Sequence, residues 1–68
     1  MWEFEVRTTT KWITSAVIDA DLNYFVQKCD PNAKVSEKNI EKWILRYLME
    51  ERGYSSSEIK SLDVKLKG

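Results

Sequence analysis

The chain has 68 residues, with 11 basic and 11 acidic side chains, no histidine, two glycines and one proline. This composition excludes a disordered or low-complexity chain, and its neutral balance argues against strong phosphate binding. A single domain of this size buries only about 60% of its unfolded surface, so self-association would be an easy way to gain stability.

Residues 2–8 alternate strictly between apolar and charged side chains, which predicts a strand with one dry face. The threonines at 8–10 either extend this strand or form a bend, because no Asn-Gly pair marks a tight hairpin. The dry face comprises Trp2, Phe4 and Val6, and the charged face comprises Glu3, Glu5 and Arg7.

Residues 11–18 are rich in β-branched and aromatic residues, and we predict a second strand that is apolar on both faces. One face carries Trp12, Ala16 and Ile18, and the other carries Ile13 and Val17. Such a strand is usually covered on both sides, or lies where a second subunit packs. The alternative is the start of a long helix, since Ile13, Val17, Ala20 and Tyr24 also fit a helical spacing.

A first helix is predicted to begin at Ala20, with Asp19 as its N-cap and Asp21 in the first turn. This start favours the strand interpretation of residues 11–18. The helix ends before the turn at 30–32, which contains the proline. Its apolar face comprises Leu22, Phe25, Val26 and Cys29. The single cysteine has no internal disulfide partner, so we expect a buried thiol in a reducing compartment.

The clearest amphipathic stretch, residues 35–53, predicts a second helix with Ser36 as N-cap and Gly53 as a left-handed C-terminal residue. Val35 and Ile40 have the spacing of a hydrophobic staple. The predicted core face comprises Ile40, Trp43, Ile44, Tyr47 and Leu48. Two apolar residues break the pattern: Leu45 and Met49, which we call the helix flank, fall among the basic residues of the solvent side.

After Gly53, Ser55 and Glu58 have the spacing of a capping box and predict one short turn. Leu62, Val64 and Leu66 then alternate with charged residues, which predicts a last strand. The predicted fold is a small two-layer α+β domain in β-β-α-α-β order, with a three-stranded sheet packed on one face by two helices. The other face of the sheet is expected to stay open, with some apolar surface of the second strand pointing outward.

No catalytic, cofactor-binding or metal-binding residues are predicted. Without histidine, one cysteine provides neither a zinc site nor a Cys-His nucleophile. Two isolated glycines do not make a phosphate-binding loop. The acids at 19 and 21 are better explained by helix capping than by catalysis. We therefore expect a protein that is not an enzyme, and that is cytoplasmic, since neither a membrane-spanning run nor a signal peptide is evident.

The functional hypothesis is a small interaction protein, a regulator or inhibitor, that binds a protein partner and forms a homodimer. Size alone suggests an accessory protein of a bacterium or phage. Exposed apolar side chains rimmed by charge are typical of protein-binding patches. The predicted partner-binding residues are Leu45, Met49, Lys42, Arg46, Lys38, Arg52 and Trp12.

The alternative hypothesis is nucleic-acid binding through the basic residues, which we call the basic line. These residues, Lys38, Lys42, Arg46 and Arg52, follow one side of the second predicted helix. They could meet a phosphate backbone. A solvated helix face softened by Glu41 and Glu50 is the simpler interpretation.

Overall fold

The computed structural model describes residues 1–67, and the predicted single domain extends to Gly68, which lies outside the described residues. The elements are β1 (Trp2–Thr8), β2 (Trp12–Val17), α1 (Asp19–Cys29), α2 (Ile40–Glu51) and β3 (Ile59–Leu66). This order confirms the predicted α+β class and the strand interpretation of residues 11–18. Neither helix of the described chain is long and apolar enough to cross a membrane.

The sheet has the order β2-β1-β3, with β1 antiparallel to both neighbours. Residues directly opposite each other share a face of the sheet. Trp2 is opposite Val17 and Leu66, and Val6 is opposite Ile13 and Leu62. The dry face of β1 is therefore continued on both sides by apolar residues.

The core lies between this face and the two helices, because burying both apolar surfaces against each other removes them from water. The predicted apolar faces of β1 and of the two helices are confirmed, although Tyr47 and Cys29 are only half-buried. The predicted dry face of the last strand is confirmed only in part, because Leu66 is 54% exposed. Tyr47 meets the Phe25 ring edge-on, with the ring centroids 5.5 Å apart. The buried apolar side chains are Trp2, Phe4, Val6, Val17, Leu22, Phe25, Val26, Ile40, Trp43, Ile44 and Leu48.

The Thr8 hydroxyl holds the turn between β1 and β2. It donates to the Lys11 carbonyl at 3.0 Å and accepts from the amides of Thr10 and Lys11 at 3.3 and 3.1 Å. Thr9 donates its amide to the Glu58 carbonyl at 3.1 Å, which ties the turn to the start of β3. The hydrogen bonds of this buried threonine hydroxyl thus stabilise a turn that lacks an Asn-Gly pair.

Both predicted N-caps are wrong. The helix α1 begins one residue early, at Asp19, with Ile18 in the cap position. Asp19 makes no capping hydrogen bond, and its Oδ1 instead lies 3.2 Å from the amino group of Met1. Asp19 therefore pairs with the amino group of the residue before β1 rather than with the first turn of its own helix.

The helix α2 begins three residues later than the Ser36 cap implies, at Ile40. Asn39 explains the delay, because its side chain accepts the Ser36 amide at 2.7 Å and donates to the Lys34 carbonyl at 2.8 Å. These bonds stabilise a separate turn ahead of the helix, as Asn side chains commonly do. The predicted end is confirmed: Gly53 has φ +77°, and the Tyr54 amide donates to the Leu48 carbonyl at 3.2 Å.

The last strand is longer than predicted. It starts at Ile59, and its pairing with β1 contains a bulge beside Thr8 that passes over Lys60. A bulge shifts the alternation of side chains by one residue, so the pattern that marks residues 62–66 does not continue backward. The predicted turn before it is confirmed, since Glu58 accepts hydrogen bonds from the amide and hydroxyl of Ser55 at 3.2 and 3.0 Å.

The hydrogen bonds of the Thr8 hydroxyl lead to the first prediction. Replacing Thr8 by valine keeps the shape but leaves backbone groups of the turn without partners, so it should lower the free energy of unfolding by about 1–3 kcal/mol. Denaturant unfolding followed by far-ultraviolet circular dichroism measures this loss. The matched control is Thr10→Val, an exposed position whose hydroxyl holds no part of the turn. Equal losses in the two variants would contradict the assigned role of Thr8.

Candidate interaction surfaces

The face of the sheet turned away from the helices is open. Its side chains follow from the pairing register, and most of them are exposed. We call this surface the open face. It carries Trp12, Thr14 and Ala16 from β2, Glu3, Glu5 and Arg7 from β1, and Ser61, Asp63 and Lys65 from β3. The β2 side of the open face is therefore uncharged, and the other two strands supply its charges.

Trp12 is the largest apolar side chain on the open face. It is 60% exposed, whereas Trp2 and Trp43 are 9% and 4% exposed and belong to the core. The Arg7 guanidinium, opposite it on β1, lies 5.5 Å from the indole centroid. A cation–π contact at an exposed site contributes about 0.5–1 kcal/mol. Arg7 therefore orients the indole while most of its surface stays in water.

Ile18 extends the apolar side of β2 and is missing from the predicted partner-binding residues. Its backbone is extended, with φ −74° and ψ 151°, so the strand geometry continues through it into the start of α1. Because side chains alternate along a strand, Ile18 lies on the same side as Trp12 and Ala16. It is 52% exposed. The sequence signal was available, since the alternation already placed these three residues together.

An acidic pair lies at the centre of the open face. Glu5 and Asp63 are directly opposite each other, both exposed, and neither forms an ion pair within residues 1–67. Like charges opposite each other destabilise a sheet. The neighbouring Glu3 differs, since it is opposite Lys65 and its Oε1 lies 2.9 Å from the Lys67 Nζ.

The helix flank is less exposed than the sequence suggested. Leu45 and Met49 are both half-buried, yet neither packs against the core cluster that the helices share with the sheet. The second apolar direction of α2 is therefore present but partly covered. The structure places it on the helix layer, on the opposite side of the sheet from Trp12.

The basic line is partly engaged by neighbours within the chain. The Arg46 Nε donates to Glu50 Oε2 at 2.6 Å, and this hydrogen bond is the main cause that raises the pKa of Arg46 above its ordinary value. The Lys42 Nζ and the Arg46 guanidinium also lie over the Trp43 ring, 5.3 and 5.8 Å from its centroid, as in cation–π contacts. Arg52 lies 5.6 Å from the Tyr47 centroid.

The surface grooves are small and open. Among residues 1–67 they include one of 140 Å³ on the open face, beside Glu5 and Asp63, and one of 260 Å³ between the helices, beside Tyr24 and Tyr47. Pockets for small molecules typically hold roughly 300–1,000 Å³. Within the described range, no three potential metal-ligating side chains are grouped so that they could hold an ion.

The fold and these surfaces define a small two-layer α+β domain with one open sheet face and two unpaired strand edges. Comparison of the chain with protein-family models, with curated proteins and with solved structures finds no match.

The repulsion within the acidic pair leads to the second prediction. Asp63→Asn removes a like-charge contact and should raise the free energy of unfolding by about 0.2–1 kcal/mol at low salt, and by less at high salt because salt screens exposed charges. Thermal or denaturant unfolding measures the change. The matched control is Glu3→Gln on the same face, which removes attractive contacts and should lower stability. A loss of stability in Asp63→Asn would contradict a repulsive role for this pair.

Proposed function

We propose that this chain acts by binding a protein partner, as a small regulator or inhibitor that forms a homodimer, and that it performs no catalysis. The open face is the surface that makes this contact, with Trp12 as its apolar anchor. The single observation that carries the proposal is the 60% exposed indole on an uncovered sheet face. Tryptophan and arginine are the residues most enriched among interface hot spots, and here they lie together.

The open face has the chemical make-up of an interface that selects its partner. Trp12 and Ile18 supply apolar area that is held by a strand rather than by a mobile loop. Glu5 and Asp63 add negative charge that no ion pair among residues 1–67 neutralises, which favours a partner that brings a basic side chain. Such a partner would relieve the repulsion between the two acids on binding.

Several observations support binding rather than catalysis. The chain contains no histidine, so the commonest general base is missing. The grooves beside the acidic pair and between the helices are smaller than typical substrate pockets. The carboxylates of the open face lie on a flat, exposed surface, where water screens their electrostatic effect on a substrate.

Nucleic-acid binding through the basic line is the alternative, and it is weaker for a physical reason. Arg46 already forms an ion pair with Glu50, and the negative charge of Glu50 offsets part of its attraction for a phosphate. The chain also carries no net charge. Proteins that neutralise several phosphates usually have a basic excess.

The third prediction separates the candidate surfaces. The tagged protein captures partners from an extract of its native cell after nuclease treatment, and a partner identified by mass spectrometry is then purified and titrated against three variants. Trp12→Ser should weaken binding by about tenfold or more, the loss typical of a hot-spot residue. The double variant Leu45→Ser with Met49→Ser, on the helix flank, should bind within about threefold of wild type, since it lies on the other layer.

The third variant tests the basic line and carries Lys42→Glu with Arg46→Glu. It should also bind the partner normally, and wild-type binding should depend only weakly on salt. Loss of binding in the helix-flank variant, with Trp12→Ser unaffected, would move the site to α2. Binding to nucleic acid that falls steeply with salt and is lost in the Lys42 and Arg46 variant would replace the proposal with its alternative.

A further inference from the structure

We infer that the occupant of the β2 edge is a second copy of this chain, paired antiparallel with Ser15 opposite the partner's Ser15. This inference rests on the proposed function, because it specifies how the homodimer forms. The two copies would share one continuous six-stranded sheet, in the order β3-β1-β2-β2-β1-β3, since each contributes its three strands.

The two edge strands differ sharply in their protection against pairing. The β3 edge carries lysines at 60, 65 and 67, an aspartate at 63 and a bulge. Charges and bulges are the devices by which proteins keep edges from pairing. Residues 12–18 on the β2 side contain no charge, no proline and no glycine, and the pairing of β2 with β1 runs without a bulge. Only β2 has the composition of a strand that accepts another strand.

The β2 sequence is complementary to itself in one register. With Ser15 on the twofold axis, Trp12 lies opposite the partner's Ile18, Ile13 opposite the partner's Val17, and Thr14 opposite the partner's Ala16. Every large apolar residue of β2 thus meets an apolar residue. Aromatic and β-branched cross-strand pairs are among the most favourable contacts in a sheet.

Other registers lose these pairs. A twofold axis at Thr14 places Ile18 opposite the partner's Thr10, and an axis at Ala16 places Trp12 opposite the partner's Ala20, which already belongs to α1. A slip by one residue would place the open face of one copy beside the helix-covered face of the other. The register centred on Ser15 is therefore the one that the side chains select.

The exposure of the same residues in the isolated chain supports this pairing. Trp12 and Ile18 are 60% and 52% exposed on the open face, and in the dimer each would gain the other as an apolar cross-strand neighbour while its outer side stays open to a partner. On the helix side, Ile13 is only half-buried and does not pack against the core cluster, although its partner position, Val17, does. The dimer would therefore give the apolar residues of β2 apolar neighbours along the edge that one chain leaves unpaired.

The dimer would also be closed. Pairing over residues 12–18 gives about six to eight main-chain hydrogen bonds, and in added-strand complexes such bonds supply much of the affinity. Both edges of the resulting sheet are β3 strands with their charges and bulge. An isologous contact of this kind leaves no free β2 edge, so assembly stops at two copies.

The fourth prediction uses a lysine to protect the β2 edge. Wild type should sediment at twice the 8.0 kDa mass of the chain, whereas Thr14→Lys should sediment as single chains at the same concentration. Position 14 is exposed and opposite Glu5, so the new lysine suits the isolated fold. The matched control is Asp63→Lys, because position 63 lies on the other side of the same Glu5, at the β3 edge. It should remain dimeric.

A cross-link tests the register independently of Thr14→Lys. In a Cys29→Ser background, a Thr14→Cys chain mixed with a tagged Ala16→Cys chain should give a disulfide-linked heterodimer under mild oxidation. Directly opposite residues lie about 4.5–5.5 Å apart between Cα atoms, which suits a disulfide. Each variant alone should cross-link poorly, since two copies of position 14 are diagonal neighbours, about 7–8 Å apart.

Two results would overturn the inference: wild type that stays a single chain up to about 1 mM, or a Thr14→Lys variant that remains as dimeric as Asp63→Lys. Cross-linking of both single variants as efficiently as the mixture would overturn the register. A single-chain wild type that still binds its partner through Trp12 would end this inference and leave partner binding standing. An intact β2 dimer without partner binding would end partner binding and leave the pairing standing.

Discussion

Burial of the dry face of β1 is the constraint on which the rest of the structure depends. Trp2, Phe4 and Val6 run along the centre of the sheet and are covered by the apolar faces of both helices. Residues 1–67 form no third layer on the other side of the sheet. One face and two edges of the sheet are therefore left to water, and their side chains decide what the protein can contact.

The exposed parts of the sheet differ in the charge of their side chains. On β3 and the outer side of β1, charged residues keep the surface in water, and some of them pair, as Glu3 does with Lys67. On β2 the residues are uncharged, and the largest of them, Trp12, is held over the sheet by Arg7. Stability alone would favour a polar side chain in place of an exposed indole. Retaining the indole is consistent with a surface that is covered by another protein chain for part of its lifetime.

Much of the fold could be predicted because strict alternation and helical spacing report burial directly. This holds for β1, for the core side of α2 and for the turn at Ser55. The helix starts could not be predicted in this way, because two residues near them make contacts outside the local cap pattern. Asp19 pairs with Met1, and Asn39 donates to the Lys34 carbonyl. The outward direction of Trp12 depends on which residue of β1 lies opposite it, and a pairing register is a property of the folded sheet.

The candidate surface shows the same division. The basic line and the helix flank were identified from the helical wheel, but neighbours on α2 engage Arg46, and Leu45 and Met49 are half-buried. The uncharged run that ends at Ile18 was visible in the sequence. Its role could not be predicted without the strand order, because the same uncharged run in a central strand would be part of the core. Because β2 is at an edge, its lack of charge supports the proposed pairing with a second copy.

The most direct test is an isotope-filtered nuclear Overhauser measurement on a mixture of labelled and unlabelled chains. Within one chain, Trp12 and Ile18 are six residues apart along an extended strand, roughly 20 Å, so their side chains do not touch. Pairing along β2 predicts intermolecular contacts between the Trp12 indole protons and the Ile18 methyl groups. A dimer in which these contacts are absent, with intermolecular signals from Leu45 and Met49 instead, would contradict it.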